Sequence, residues 1–246
     1  MAEDRVAFII AGVQKGGTTA LFDYLGEAPE LSLSRVKEVH FFDDDGQDWS
    51  NPDYAAYHAN FADFDGRPRG EATPIYLYWP NSLERIAAYN PAVKLIVMLR
   101  DPVERALAQW KMEYARGVET RPLAWCVREG RQRLFDAEPW GFHREISYVE
   151  RGFYGEQMAR LFGLFPRAQV LVLRSEDLRR EPGRTLAQVR GFLGLGAAAP
   201  PAAREVHVAR EMDYGSELTA ADVDYLRGVY ARDMARLADL TGVRFG

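Results

Sequence analysis

The feature that most constrains the fold lies near the start of the chain. Val6-Ala7-Phe8-Ile9-Ile10-Ala11 is a short continuous apolar run closed by Gly12. Such a run suits a strand buried on both faces of a parallel sheet. The residues that follow, Gly12-Val13-Gln14-Lys15-Gly16-Gly17-Thr18-Thr19, have the glycine spacing of a phosphate-binding loop between a strand and a helix. Glycines let the backbone curl so that amides and a helix N-terminus point at an anion. A helix starting near Thr18 carries Ala20, Leu21, Tyr24 and Leu25 on one side. In the nucleoside-triphosphate form of the loop, lysine directly follows the second glycine, and a Ser or Thr comes next for magnesium. Here Thr18 occupies the lysine position and Lys15 stands three residues earlier. The loop fits an anion, but the ATP signature fails. A glycine-rich turn that binds nothing is the alternative.

The same pattern recurs downstream. Lys94–Leu99 is a second buried strand, leading through Arg100-Asp101 into a helix with Pro102 in its first turn, where proline is tolerated. Gln169–Leu173 is a third. Before it, Tyr154, Met158, Leu161, Phe162 and Phe165 fall at helical spacing, and Val223, Leu226, Tyr230, Leu237 and Leu240 mark a long amphipathic helix near the end. Alternating strands and helices predict an α/β fold, a parallel sheet with helices on both faces. The 194–201 stretch reads as a flexible connector with too little chain after it for a second domain. The expectation is a single domain over residues 1–246.

Composition removes several classes of function. With 31 basic and 36 acidic residues the net charge is −5, which argues against nonspecific binding along a nucleic-acid backbone. No apolar run reaches the roughly 18 residues of a membrane span, and the N-terminus lacks a signal pattern. Cys126 is alone and forms no internal disulfide, so a cytoplasmic location is expected. The histidines His40, His58, His143 and His207 are scattered, which offers no metal set. Lysine is scarce, at Lys15, Lys37, Lys94 and Lys111 only, and a compact ammonium is not interchangeable with a guanidinium.

Phe8 to Leu21, FIIAGVQKGGTTAL, resembles the 5′-phosphosulfate loop of sulfotransferases that use 3′-phosphoadenosine 5′-phosphosulfate. The nearest branch is that of the heparan sulfate sulfotransferases and their bacterial relatives. Lys37-Glu38-Val39-His40-Phe41-Phe42-Asp43, Gly70-Glu71-Ala72-Thr73-Pro74-Ile75-Tyr76 and Leu99–Ala106 follow in that family's order. The likeness continues through Arg151–Tyr154 and residues 171–195, and fades after about residue 200. It implies a sulfotransferase fold, single-domain with a P-loop-like parallel sheet, and transfer of a sulfuryl group to a hydroxyl, less often an amine. The acceptor would be a carbohydrate or small natural product. No metal is implied, and the chain would work as a monomer or homodimer.

The resemblance also implies roles. Sulfuryl transfer needs a base for the acceptor proton and a cation at the departing phosphate oxygen. Lys15 would be that cation, with the amides of Gly16, Gly17, Thr18 and Thr19 and both threonine hydroxyls around the 5′-phosphate. Capping the helix is the alternative use of the hydroxyls. Glu38 is the implied base, and His40 assists or orients the acceptor. In an extended segment these two side chains share a face, with Lys37 opposite unless a turn brings it to the sulfate. A solvated loop is the alternative for this segment. Arg100, directly after a buried strand, suits the 3′-phosphate, against an ion pair with Asp101 or Glu104.

Two positions depart from the family. Ala108 stands where a serine usually also holds the 3′-phosphate, and a lost charge-assisted hydrogen bond is worth roughly 1.5–3 kcal/mol. Ala72 stands where the heparan sulfate enzymes commonly carry lysine, which weakens the case for a highly anionic polysaccharide acceptor. On the acceptor side Tyr76 and Trp110 rank first, with Lys37 and Phe41 as further substrate-binding candidates, and adenine contacts are expected partly from residues 204–214. Two rival readings share the loop: a magnesium-dependent small-molecule kinase, and a noncatalytic nucleotide-binding module whose site has degenerated.

Overall fold

The protein is described by a computed structural model covering residues 4–136, 138–197, 214–216 and 218–245. The chain divides into two compact units, Met1–Leu99 with Arg160–Val208 and Arg100–Ala159 with Ala209–Gly246. The strands are β1 (Val6–Gly12), β2 (Ser32–Leu33), β3 (Arg69–Ala72), β4 (Lys94–Leu99) and β5 (Val170–Arg174). They form one sheet in the order β2-β3-β1-β4-β5, with every pairing parallel. The helices in chain order are α1 (Thr18–Gly26), α2 (Tyr54–His58), α3 (Ser82–Tyr89), α4 (Pro102–Ala115) and α5 (Leu123–Val127). They continue with α6 (Tyr154–Leu164), α7 (Ser175–Arg180), α8 (Pro182–Leu193) and α9 (Ala220–Thr241). The α/β class and parallel sheet expected from the apolar runs are therefore found.

The sheet lies wholly in the first unit. Phe8 and Ile10 of β1, Ile96 and Met98 of β4 and Leu173 of β5 pack with Leu21, Tyr24 and Leu25 of α1 and with Leu178, Leu186 and Val189 of α7 and α8. The alternate residues Ile9, Ala11, Leu95 and Val97 point to the opposite face and are also fully buried. Burial on both faces is why these strands read as unbroken apolar runs. Strand β3 breaks that rule. Its sequence, Arg-Gly-Glu-Ala, is polar, yet every position is buried. Arg69 donates to the carbonyls of Asp4 and Ala62, and a Cβ on Gly70 would fall 2.0 Å from Cζ of Phe8. The Phe8 ring fills the space where any larger residue would stand.

The second unit has its own core. Val103, Ala106 and Trp110 of α4 meet Leu123, Cys126 and Val127 of α5, together with Tyr148, Val149 and Leu226 and Tyr230 of α9. Asp101 caps α4 by accepting from the amides of Val103 and Glu104. Helix α9 opens on a reciprocal Thr219–Asp222 capping box and ends at left-handed Gly242. Among the described residues no helix is long and apolar enough to cross a membrane. Of the 194–201 connector, Gly194 is the left-handed cap of α8, and residues from 198 lie outside the described ones.

Trp110 anchors this second core, wholly buried with its indole N–H donating to the Arg121 carbonyl at 3.0 Å. Trp110→Ala is expected to lower unfolding free energy by about 3–5 kcal/mol, the range for emptying a large aromatic site. Denaturant unfolding measures it. A loss under about 1 kcal/mol would contradict this packing.

Candidate active site

In an open parallel sheet, ligands collect beyond the carboxyl ends of the strands. The turn after β1 is one such end. The Val13 amide donates to the Met98 carbonyl of β4 at 2.9 Å, and the Gly16 amide to the Val13 carbonyl at 2.9 Å. This presses the turn so close to β4 that a Cβ on Gly16 would lie 2.4 Å from the Met98 oxygen. Gly17 then takes a left-handed φ of 89° as the N-cap of α1. The glycine pair is thus required by close approach at the first position and by conformation at the second. The Gly16 amide, expected on the anion, instead closes the turn. The first-turn amides of α1, from Thr18 onward, have no acceptor within the helix and face outward from its N-terminus. Neither threonine caps the helix: Gly17 is the cap and no side chain bonds there. Thr18 is buried and Thr19 half-buried.

The second loop of interest follows β2. Here the expected extended geometry is corrected. Glu38 and His40 have φ of 64° and 55°, both left-handed, so residues 37–40 form a tight loop and not a strand. The Glu38 amide donates to the Ala72 carbonyl at the end of β3, and the Val39 amide to the Thr73 hydroxyl. Since β3 is hydrogen-bonded to β1, this loop stands beyond the strand next to the one that carries the glycine turn. Neighbouring strands are about 5 Å apart, so both loops share one edge of the sheet.

The side chains of this loop form a line of alternating charge. Lys37 turns onto Glu38 and donates to its Oε1, so it does not point away. The other Glu38 oxygen, Oε2, faces His40 Nε2 at 3.6 Å, an ion-pair distance and not a hydrogen bond. His40 Nδ1 lies 2.9 Å from Oδ2 of fully buried Asp43. The contact with His40, followed by the charge of Lys37, holds the Glu38 carboxyl down at about 2 against the upward push of burial. Asp43, with help from Glu38, raises His40 to about 9. At neutral pH the loop therefore holds a carboxylate between two cations, one of them backed by a second carboxylate.

Backbone strain singles out the same residues. Non-glycine residues with positive φ among the described ones are Lys15, Glu38, His40 and Asn81. A left-handed conformation costs an ordinary residue roughly 1–2 kcal/mol. Three of these four were already candidates from the sequence, through their chemistry and the family resemblance together. Strain that survives at such positions is a pointer to function.

The remaining candidates divide. Arg100 pairs through Nε with Glu104 Oε2 at 3.1 Å, the ion pair that stood as its alternative, while Asp101 is committed to capping α4. Ala108 is half-buried two turns along α4. Tyr76 and Trp110 are fully buried, so neither presents a ring to an acceptor; both are scaffold. Phe41 is also largely buried, stacked on Tyr57 with centroids 4.7 Å apart. Of the adenine stretch, residues 204–213 lie outside the described ones. Among the described residues no group of three His, Cys, Asp or Glu is gathered to hold a metal ion. Sequence reasoning assigned no role to Asp43, although its place three residues after His40 was visible. It also passed over Glu71, on a strand too polar to be recognised as one, and Thr73, which directly follows that strand.

The sulfotransferase domain family matches residues 5–211 of the chain. The human heparan sulfate glucosamine 3-O-sulfotransferase 3B1 is 30% identical over 190 residues, covering 76% of this chain and 45% of that protein. The human heparan sulfate glucosamine 3-O-sulfotransferase 6 is 31% identical over 195 residues, covering 76% and 52%. The chain thus spans about half the length of these relatives. A sulfotransferase from Alicyclobacillus acidocaldarius superposes with a TM-score of 0.80 at 27% identity, over 98% of this chain and 97% of that one. The sulfotransferase domain of the Synechococcus PCC 7002 olefin synthase shares the fold at a TM-score of 0.58 and 15% identity, over 98% and 95%.

The raised His40 value has a consequence for stability. A cation favoured by the fold stabilises it fully below the unfolded value near 6.5, and that contribution disappears as pH rises through about 9. His40→Gln is therefore expected to cost stability at pH 6 and almost none at pH 10. The side chain is half-exposed, so solvent screening limits the difference to about 1 kcal/mol. Urea unfolding of both proteins at pH 6, 8 and 10 checks this, and a pH-independent gap would contradict it.

Proposed function

The chain belongs to the sulfotransferase domain family, and on that premise we propose that it transfers the sulfuryl group of 3′-phosphoadenosine 5′-phosphosulfate to an acceptor hydroxyl. The observation that carries this reading is the placement of Glu38, between Lys37 and His40, at the same sheet edge as the Lys15 turn. The glycine turn and the N-terminus of α1 fit the 5′-phosphate: close backbone, no side-chain cap and a positive helix end. In the reaction the acceptor oxygen bonds to sulfur, its proton passes to Glu38, and the sulfur–oxygen bond to the 5′-phosphate breaks. Lys15 neutralises the charge arriving on that phosphate oxygen. Arg100 takes the 3′-phosphate by leaving Glu104, a weak exposed partner. No second donor at position 108 assists it.

A carboxylate held at about 2 is a poor proton acceptor. Lys37 supplies the remedy. Its ammonium pairs with Glu38 among the described residues, and the sulfuryl oxygens offer it a second anion. Drawing Lys37 onto them leaves Glu38 opposed by His40 alone and raises its proton affinity when the acceptor is in place. His40, anchored by Asp43, keeps the carboxylate oriented. The acceptor class is a carbohydrate or small natural product. The names of the relatives favour an amino-sugar hydroxyl, while Ala72 argues against a densely anionic chain.

Adenosine 3′,5′-bisphosphate without metal is expected to raise the melting temperature. At about a hundredfold excess over its dissociation constant a ligand adds roughly 2.7 kcal/mol. A shift with ATP and magnesium alone would favour the kinase reading, and no shift with any nucleotide would favour the noncatalytic module. Glu38→Gln is expected to abolish sulfuryl transfer to an amino-sugar acceptor while bisphosphate affinity stays within about twofold. Equal loss of both would remove Glu38 from the base role. Arg100→Ala is expected to weaken the bisphosphate at least tenfold more than adenosine 5′-monophosphate, and equal losses would reject the 3′-phosphate role.

A further inference from the structure

Glu71 is a fully buried carboxylate on β3 that the reaction described above does not use. Among the described residues no cation pairs with it. Three hydroxyls surround it instead: Tyr57 donates to Oε1 at 2.8 Å, Tyr76 to Oε1 at 3.2 Å, and Thr73 to Oε2 at 2.6 Å. Two of these hydroxyls have a second task. The Thr73 oxygen accepts the Val39 amide at 3.0 Å. The Tyr76 oxygen accepts the Phe41 amide at 3.0 Å, with Phe42 more distant at 3.4 Å. Val39 and Phe41 flank His40, and Val39 follows Glu38 directly. The loop with two left-handed residues is thus pinned by hydroxyls whose own protons are all directed to one carboxylate.

The directionality follows from what each group can do. A hydroxyl has one proton and two lone pairs. An ionised carboxylate only accepts, so each hydroxyl beside it must spend its proton there and turn lone pairs elsewhere. For Thr73 and Tyr76, elsewhere is the loop backbone. A neutral amide at position 71 would offer protons of its own, and one hydroxyl would then have a proton without an acceptor, competing with the loop N–H. We propose that Glu71 is a positioning residue for the Glu38–His40 loop, acting through the Thr73 and Tyr76 hydroxyls to hold the two strained residues in place. The inference rests on the reading of Glu38 as base for its functional meaning, though not for its geometry. Burial pushes the Glu71 carboxyl up to about 7, Asp43 adding to that push and the three hydroxyls opposing it, so the experiment is run above that value.

Tyr57 provides the control. Its hydroxyl donates to the same carboxylate oxygen but bonds no loop amide. The experiment compares Glu71→Gln, Thr73→Val and Tyr57→Phe with the native chain, with 15N labelling, by two nuclear magnetic resonance readouts. The first is amide hydrogen exchange at pH 8. Thr73→Val is expected to speed exchange of the Val39 amide at least tenfold. Glu71→Gln should do the same at Val39 or Phe41, whichever hydroxyl meets the new amide protons. Tyr57→Phe should leave both within twofold. The second is the titration of the His40 ring, which faces Glu38 and Asp43. It should move down by at least one pH unit in Glu71→Gln and Thr73→Val as the loop lets Glu38 go, and stay in Tyr57→Phe. Protection of β4 amides verifies the fold.

Native-like exchange and His40 titration in both Glu71→Gln and Thr73→Val would overturn the proposal. Equal damage from Tyr57→Phe would overturn it too, because any lost buried bond would then suffice. If Glu71→Gln does not fold, Thr73→Val decides alone. None of these readouts depends on turnover. Failure here therefore leaves Glu38 to its own test, and failure of Glu38→Gln leaves this one standing.

Discussion

The glycine turn of the candidate site depends on how closely it lies against β4. The Val13 amide meets the Met98 carbonyl, and Gly16 passes the same oxygen at a distance no Cβ can share. That contact fixes where α1 begins and aims its N-terminus, which gives the first-turn amides their direction. The rest of the donor side is a consequence of this packing. Because β4 lies inside the sheet, paired on both sides and apolar on both faces, the turn is braced against a buried strand. An anion arriving there meets a preformed backbone, with little to reorganise on binding.

The loop at residues 37–40 is organised by a different force. Lys37, Glu38, His40 and Asp43 alternate in charge from the half-exposed surface to a fully buried carboxylate. Such a row has two effects that oppose one another. It orients Glu38 tightly, and by neutralising it makes it a weak base. A site meant only for stability would gain by keeping both cations. The proposed proton transfer needs one of them removable, and Lys37 has the flexible stem for that, whereas His40 is tied to Asp43. Asymmetry between the two cations is therefore what the proposed reaction would use.

The parts of this structure that were legible in the sequence are those where one physical demand acts alone. Strands β1 and β4 are buried on two faces, so they show as apolar runs, and β5, half-buried at the edge of the sheet, is still apolar in all but its last residue. Helices α6 and α9 show by periodicity, and the glycine turn by spacing. What stayed hidden answers to several demands at once. Strand β2 is two residues long and carries no pattern. Strand β3 is polar because Arg69 and Glu71 serve as buried hydrogen-bonding hubs, so its composition denies its burial. The left-handed turns at Glu38 and His40 are invisible because neither residue type favours that conformation; tertiary contacts to Ala72 and Thr73 impose it. Tyr76 and Trp110 sat beside the right motifs, but an aromatic side chain beside a motif looks the same whether it faces solvent or the core.

The hidden part and the chemical part coincide for a physical reason. A base loop must present charged groups to a ligand and so cannot bury them in the usual way. It also must not move, so it needs anchoring from beneath. Apolar packing alone cannot anchor a loop whose backbone amides point inward, because each unpaired amide would cost roughly 1–3 kcal/mol. The anchor has to be polar, buried and fully hydrogen-bonded. A carboxylate ringed by hydroxyls on a short strand satisfies all three conditions, and it places an acidic residue where a core strand would otherwise be apolar. Polar β3 beneath strained residues 38–40 is what a fixed, charged loop at the edge of a parallel sheet requires.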